Sequence, residues 1–72
     1  MTDEAQRCID RCNEGIKMAD EVPERGEDFA ASVAEKLQSI SETIESRDYV
    51  TEAQDVAIEN MIAGLEKWIH RG

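Results

Sequence analysis

The side chains with the widest chemical repertoire are two cysteines and a single histidine. Cys8 and Cys12 lie four residues apart, and His70 lies near the end of the chain. Because four residues make about one helical turn, both thiols share the inward face that carries Ile9, and we expect them to behave as small buried hydrophobes. A zinc site needs four ligands, and only His70 remains as a nitrogen donor. We therefore predict no metal site.

The spacing of the other reactive residues does not favour catalysis. His70 follows Glu66 by one turn, but no serine or cysteine is placed to act as its nucleophile, and a chain terminus preorganises a base poorly. A calcium loop between Asp20 and Gly26 is excluded because Val22 stands where the second oxygen ligand is needed. We predict no catalytic residue, no cofactor and no enzymatic activity.

Charge narrows the class of partner. The 72 residues include 8 lysines and arginines and 17 aspartates and glutamates, for a formal net charge of −9. This balance argues against direct binding to nucleic acid or to an anionic membrane, and it favours a basic protein partner. No run approaches the 18 apolar residues of a membrane span, and the first residues lack a signal peptide's cationic start. Two cysteines are too few for a disulfide framework, so we expect a soluble cytoplasmic protein. A chain of this length allows one domain, over residues 1–72.

Apolar residues recur at helical spacing in three segments, which predicts an all-α fold with helices at about 3–19, 27–47 and 52–70. Thr2 is the expected cap of the first helix, and Thr51 with Gln54 forms a capping box at the start of the third. The alternative is that Gly15 ends the first helix early. The apolar stripe of the second helix contains Phe29, and Lys67, His70 and Arg71 suit the C-terminal end of the third.

Three one-sided helices are most simply packed as an antiparallel bundle around a shared core. A core of this size is thin for 72 residues, so we expect dimerisation to complete it. Candidate self-association residues are Val56, Gly64 and Trp68. Gly64 is either a tolerated surface glycine or a point of close approach by another backbone, from the first helix or from a second chain. Val56 is either a lone exposed aliphatic or part of an interface.

Acidic residues form stripes on the second and third helices, away from the apolar positions. Within each stripe the residues share an arc of the helix. Either these are solvated faces that maintain solubility, or they are surfaces that engage a basic groove of a nucleic-acid-binding protein. The candidate partner-binding residues are Asp28, Glu35, Glu42 and Glu45 on the second helix, and Asp55, Glu59 and Glu66 on the third.

One part of the chain resembles a known kind of protein. The segment Phe29-Ala-Ala-Ser-Val33-Ala-Glu-Lys-Leu37, followed by Ile44-Glu45 and by Val50-Thr51-x-x-Gln54-x-x-Ala57-Ile58-x-Asn60-Met61, is similar to a helical hairpin of small uncharacterised phage and bacterial proteins. The resemblance covers residues 29–69 and brings no catalytic residue. It implies a phage-like origin, in which short acidic proteins serve as inhibitors or adaptors of host machinery.

These observations predict a non-enzymatic protein-binding module whose acidic helix faces engage a basic partner. The competing interpretation is a structural or assembly protein that binds through apolar helix faces, with its charge serving solubility only.

Overall fold

The computed structural model describes the backbone of residues 2–71 and the side chains of residues 2–70. It contains three α-helices, α1 (Asp3–Ala19), α2 (Glu27–Arg47) and α3 (Glu52–Arg71), and a short 3-10 helix at Glu24–Gly26. The predicted all-α class and helix bounds are confirmed. The expected placement of the Arg71 side chain at the end of α3 lies outside the described residues.

Helix α1 begins at a side-chain cap and runs without interruption through its glycine. The Thr2 hydroxyl accepts a hydrogen bond from the backbone N–H of Ala5 at 3.1 Å. Gly15 is buried within the helix, which continues to Ala19. The alternative in which Gly15 ends the helix early is therefore wrong, because tertiary packing overrides the weak helix propensity of glycine here.

The predicted capping box at the start of α3 is confirmed in both directions. The backbone N–H of Gln54 donates to the Thr51 hydroxyl at 3.1 Å, and the Gln54 amide oxygen accepts from the backbone N–H of Thr51 at 2.9 Å. Two donors at the helix start are satisfied by residues three positions apart. The start of α3 is thus marked by hydrogen bonds between residues that are close in sequence.

The three helices share one core and run up, down and up. Parallel alignment of α1 and α3 follows from the contacts of Arg11 with Glu59 and of Cys8 with Asp55, whereas α2 begins beside the end of α3. The bundle measures 36 × 17 × 16 Å. Its buried hydrophobic residues come from all three helices: Ala5, Cys8, Ile9, Cys12, Ala30, Val33, Leu37, Ile44, Ile58, Ile62 and Leu65.

Phe29 departs from the expected pattern of α2. The sequence places it in the apolar stripe, but its side chain is 41% exposed. Its ring lies at the edge of the α2 stripe and covers Gly64 of α3, with Cζ only 3.0 Å from where a Gly64 Cβ would stand. The absence of a side chain at Gly64 makes room for a ring at the rim of the core rather than inside it.

Helix α2 ends at a residue with left-handed backbone geometry. Asp48 has φ 62° and ψ 23°, and its N–H donates to the carbonyl of Ile44 at 2.7 Å. This geometry turns the chain sharply toward α3, and glycine adopts it with less steric cost than any residue that carries a Cβ.

We therefore expect Asp48→Ala to be less stable than Asp48→Gly by about 1 kcal/mol. Both variants remove the same carboxylate, so their difference isolates the cost of a Cβ at positive φ. Urea unfolding followed by circular dichroism measures it. Equal stability of the two variants would show that the turn relaxes to another conformation.

Candidate interaction surfaces

The α2 acidic face consists of Asp28, Glu35, Glu42 and Glu45, and all four side chains are exposed. Asp28, Glu35 and Glu42 project from the side of α2 opposite its buried residues, and Glu45 lies between that side and the buried one. Successive members at positions 28, 35 and 42 are about 10.5 Å apart along the helix axis. The Gln38 amide donates a hydrogen bond to Glu42 at 3.5 Å. Within the described residues none of the four forms an ion pair, so their charges face solvent.

The acidic residues of α3 occupy a different environment, at the boundary with α1. Arg11 donates from Nε to Oε2 of Glu59 at 3.1 Å and from Nη2 to Oε1 at 2.9 Å. Its third nitrogen, Nη1, pairs with Glu14 at 2.6 Å. The hydrogen bonds from Arg11 lower the pKa of Glu59, and the two carboxylates raise the pKa of Arg11. The charge of Glu59 is thus already compensated within the chain.

Asp55 also faces α1, whereas Glu66 is exposed farther along α3. The Cys8 thiol donates to Oδ1 of Asp55 at 3.9 Å, which is a long and weak contact. The α2 and α3 stripes therefore differ: the first is uncompensated, and the second is partly engaged by α1. Sequence reasoning missed this difference, because a helical wheel gives an arc of residues but not the neighbouring helix that contacts it.

The two cysteines are buried free thiols, as expected. Burial raises the pKa of Cys12 to about 11, and the neighbouring Cys8 adds to this shift. Burial, followed by the charge of Asp55, raises the pKa of Cys8. Both groups are therefore protonated at neutral pH, whereas nucleophilic attack and metal binding require the thiolate. Among the described side chains, no three His, Cys, Asp or Glu residues converge as a metal site would require.

An exposed apolar surface lies on α3. Val56 is 52% exposed, and an open depression of ≈ 540 Å³ lies beside it. Its lining comes from α3 alone: Glu52, Ala53, Val56, Ala57 and Asn60. No helix within the described residues is long and apolar enough to span a membrane. The exposure of Val56 makes this surface of α3 a second candidate for contact with a protein partner.

Gly64 and Trp68, the other residues expected to self-associate, have neighbours within the chain. The close approach to Gly64 is made by the Phe29 ring, so the alternative in which an α1 backbone approaches it is wrong. Trp68 is partly buried, and two of its ring atoms lie 2.9 Å from the position that a Cβ on Gly26 would take. Neither contact extends to the exposed Val56.

Comparison with protein-family models, curated proteins and solved structures finds no match for this chain.

Proposed function

We propose that this protein is a small acidic binding module, of the kind that serves phages and bacteria as an inhibitor or adaptor. In this proposal the α2 acidic face engages a basic surface on a nucleic-acid-binding protein. The supporting observation is the exposure of four carboxylates that lack ion pairs within the described residues. They extend along about 25 Å of helix, which is long enough to contact several cations of a basic groove.

The acidic residues of α3 contribute less directly to this function. Glu59 forms an ion pair with Arg11, and this pair would have to break before Glu59 could bind a partner. Asp55 and Glu66 add to the negative potential, which raises the association rate with a positively charged surface. We therefore rank the α2 residues above those of α3 as binding determinants.

The proposed function is not enzymatic and uses no cofactor. Cys8 and Cys12 are buried, and the raised pKa of each disfavours the reactive thiolate. His70 is exposed in the last turn of α3, where a catalytic base would be poorly held. Two free thiols suit a reducing compartment, and we place the function in the cytoplasm.

The test is charge reversal at the centre of the α2 acidic face. Glu35→Lys with Glu42→Lys is expected to weaken binding of a lysine- and arginine-rich peptide at least about tenfold, because two attractive contacts become repulsive. Titration calorimetry at low and physiological salt measures it. Binding by the unmodified protein should weaken as salt rises, since the screening length falls from about 30 Å at 0.01 M to about 8 Å at 0.15 M.

The matched control is Asp20→Lys with Glu21→Lys, at the end of α1. This pair produces the same net charge, and both residues are exposed. Because the α2 acidic face is intact in this control, its binding free energy for the peptide should fall by no more than half as much as in the α2 double variant. Equal loss of binding in the two double variants would mean that the peptide senses net charge alone, and the assignment to α2 would be wrong.

A second candidate function is assembly through apolar surfaces. The exposure of Val56 and the adjoining depression on α3 favour it. Apolar association changes little with ionic strength, whereas binding through carboxylates weakens, so the same salt series separates the two functions.

A further inference from the structure

The outward face of α3 has an ordered distribution of charge. It includes seven exposed residues that share one arc of the helix: Glu52, Ala53, Val56, Asn60, Ala63, Lys67 and His70. The acidic Glu52 is at the N-terminal end, the basic Lys67 is near the C-terminal end, and the four residues between these two are uncharged. Glu52 and Lys67 lie about 12 and 10 Å from Asn60 along the helix axis.

We propose that a second copy of this chain packs on the outward face of α3, with the two α3 helices antiparallel and a two-fold axis passing near Asn60. Rotation about that axis places Glu52 of each copy beside Lys67 of the other. It also brings the two Asn60 side chains together, where each amide can both donate and accept a hydrogen bond. The surface is therefore complementary to itself, as a two-fold interface requires.

Charge complementarity selects both the occupant and its direction. A parallel arrangement would place Glu52 against Glu52 and Lys67 against Lys67, and like charges repel. Elsewhere the chain has a strong excess of acidic residues, with a net charge of −9, which opposes self-association. The middle of the outward face carries no charge and so adds no repulsion between the two copies. The ends carry opposite charges, which attract each other in the antiparallel arrangement.

The shape of the face permits close approach of two helices. Ala53 and Ala63 have the smallest side chains that retain a Cβ, and the depression beside Val56 is open. Short side chains bring helix axes toward the lower end of the usual 8–10 Å separation, which increases contact between the backbones. Val56 of one copy would then lie near residues 63 and 64 of the other. Trp68, which packs on Gly26 in its own chain, has no part in this interface.

The first test is the oligomeric state by sedimentation velocity from micromolar to millimolar concentration. We expect a concentration-dependent dimer for the unmodified chain and a monomer for Asn60→Arg, which brings two cations together at the axis. Ala31→Arg on the exposed side of α2 is the matched control, because it changes net charge equally and should remain dimeric. A monomer at all concentrations for the unmodified chain, or a dimer for Asn60→Arg, would overturn the proposal.

A charge swap tests the direction of the helices. Glu52→Lys and Lys67→Glu should each weaken dimerisation about tenfold, because each replaces two symmetric attractions by repulsions. The double variant restores opposite charges at both ends, and its dimer affinity should return to that of the unmodified chain. Additive weakening in the double variant would refute the antiparallel arrangement. Circular dichroism of each variant confirms that α3 is retained.

This interface is independent of the α2 acidic face. Reversal of Glu35 and Glu42 should leave the dimer intact, and Asn60→Arg should leave binding of the basic peptide intact. Failure of either proposal is thereby distinguishable from failure of the other.

Discussion

Replacement of Gly15 by alanine is expected to lower the free energy of unfolding by up to about 2 kcal/mol, although alanine is the better helix former. A Cβ at this position would stand 2.5 Å from Cδ1 of Leu37 and 3.2 Å from Cγ1 of Ile62. Both neighbours are buried, so neither can move into solvent. The helix-propensity gain of about 1 kcal/mol does not offset the overpacking of three helices at one point. Urea unfolding measures the change.

Gly64→Ala is the matched control, because it makes the same change inside another helix. Its Cβ would meet Cζ of Phe29 at 3.0 Å, but this ring is 41% exposed and can shift toward solvent. We expect Gly64→Ala to be neutral or to stabilise the protein by up to about 1 kcal/mol. Similar destabilisation at both glycines would show that backbone flexibility, rather than the contact with Leu37, explains Gly15.

A double variant tests the physical cause directly. Leu37→Ala alone should cost about 2–5 kcal/mol, because it leaves a cavity among the three helices. Adding Gly15→Ala to it should cost less than in the native background, since the offending Cδ1 atom is gone and the new methyl group occupies part of the cavity. Strictly additive free energies would contradict the proposed contact between the two positions.

The helix bounds could be predicted because their determinants are close in sequence. Thr2 satisfies a donor three residues away, and Thr51 and Gln54 satisfy each other. The apolar stripes then define which face of each helix is buried. The same local logic correctly placed Cys8 and Cys12 in the core.

The packing contacts could not be predicted, because they depend on how each helix is rotated against its neighbours. Gly15 lies three residues after Cys12, on the apolar stripe of α1, and this position is the one sequence signal that it is buried against Leu37. Gly64 has a similar position beside the stripe of α3, yet it contacts a half-exposed ring. The two glycines therefore differ in environment. A buried side chain of another helix contacts Gly15, whereas a half-exposed side chain contacts Gly64.

The acidic stripes show the same limit for the candidate interaction surfaces. Sequence periodicity identifies the acidic residues of α2 and α3 equally well. Only the three-dimensional arrangement shows that Glu59 already forms an ion pair with Arg11. The pairing joins residues 48 positions apart. No spacing rule within one helix contains that information.

Alkaline pH is expected to destabilise the protein through Cys12. Its folded-state pKa is raised to about 11 from an ordinary value of 9.0, mainly by burial. Between these values the unfolded chain loses the thiol proton while the folded chain keeps it, so the unfolded state is favoured as pH rises. The stabilisation is fully present below about pH 9 and is lost by about pH 11, a total on the order of 2 kcal/mol. Urea unfolding across this range measures the slope.

Cys12→Ala supplies the comparison, because alanine fills a similar small apolar site and does not titrate. Lysines and Tyr49 are common to both proteins, so the difference between the two stability curves isolates Cys12. We expect the unmodified chain to lose stability relative to Cys12→Ala as pH rises from about 9 toward 11. Cys8→Ala should retain most of the slope, because Cys8 contributes in the same direction but Cys12 is the more deeply buried thiol. Parallel curves for Cys12→Ala and the unmodified chain would mean that this thiol is accessible to water in the folded protein.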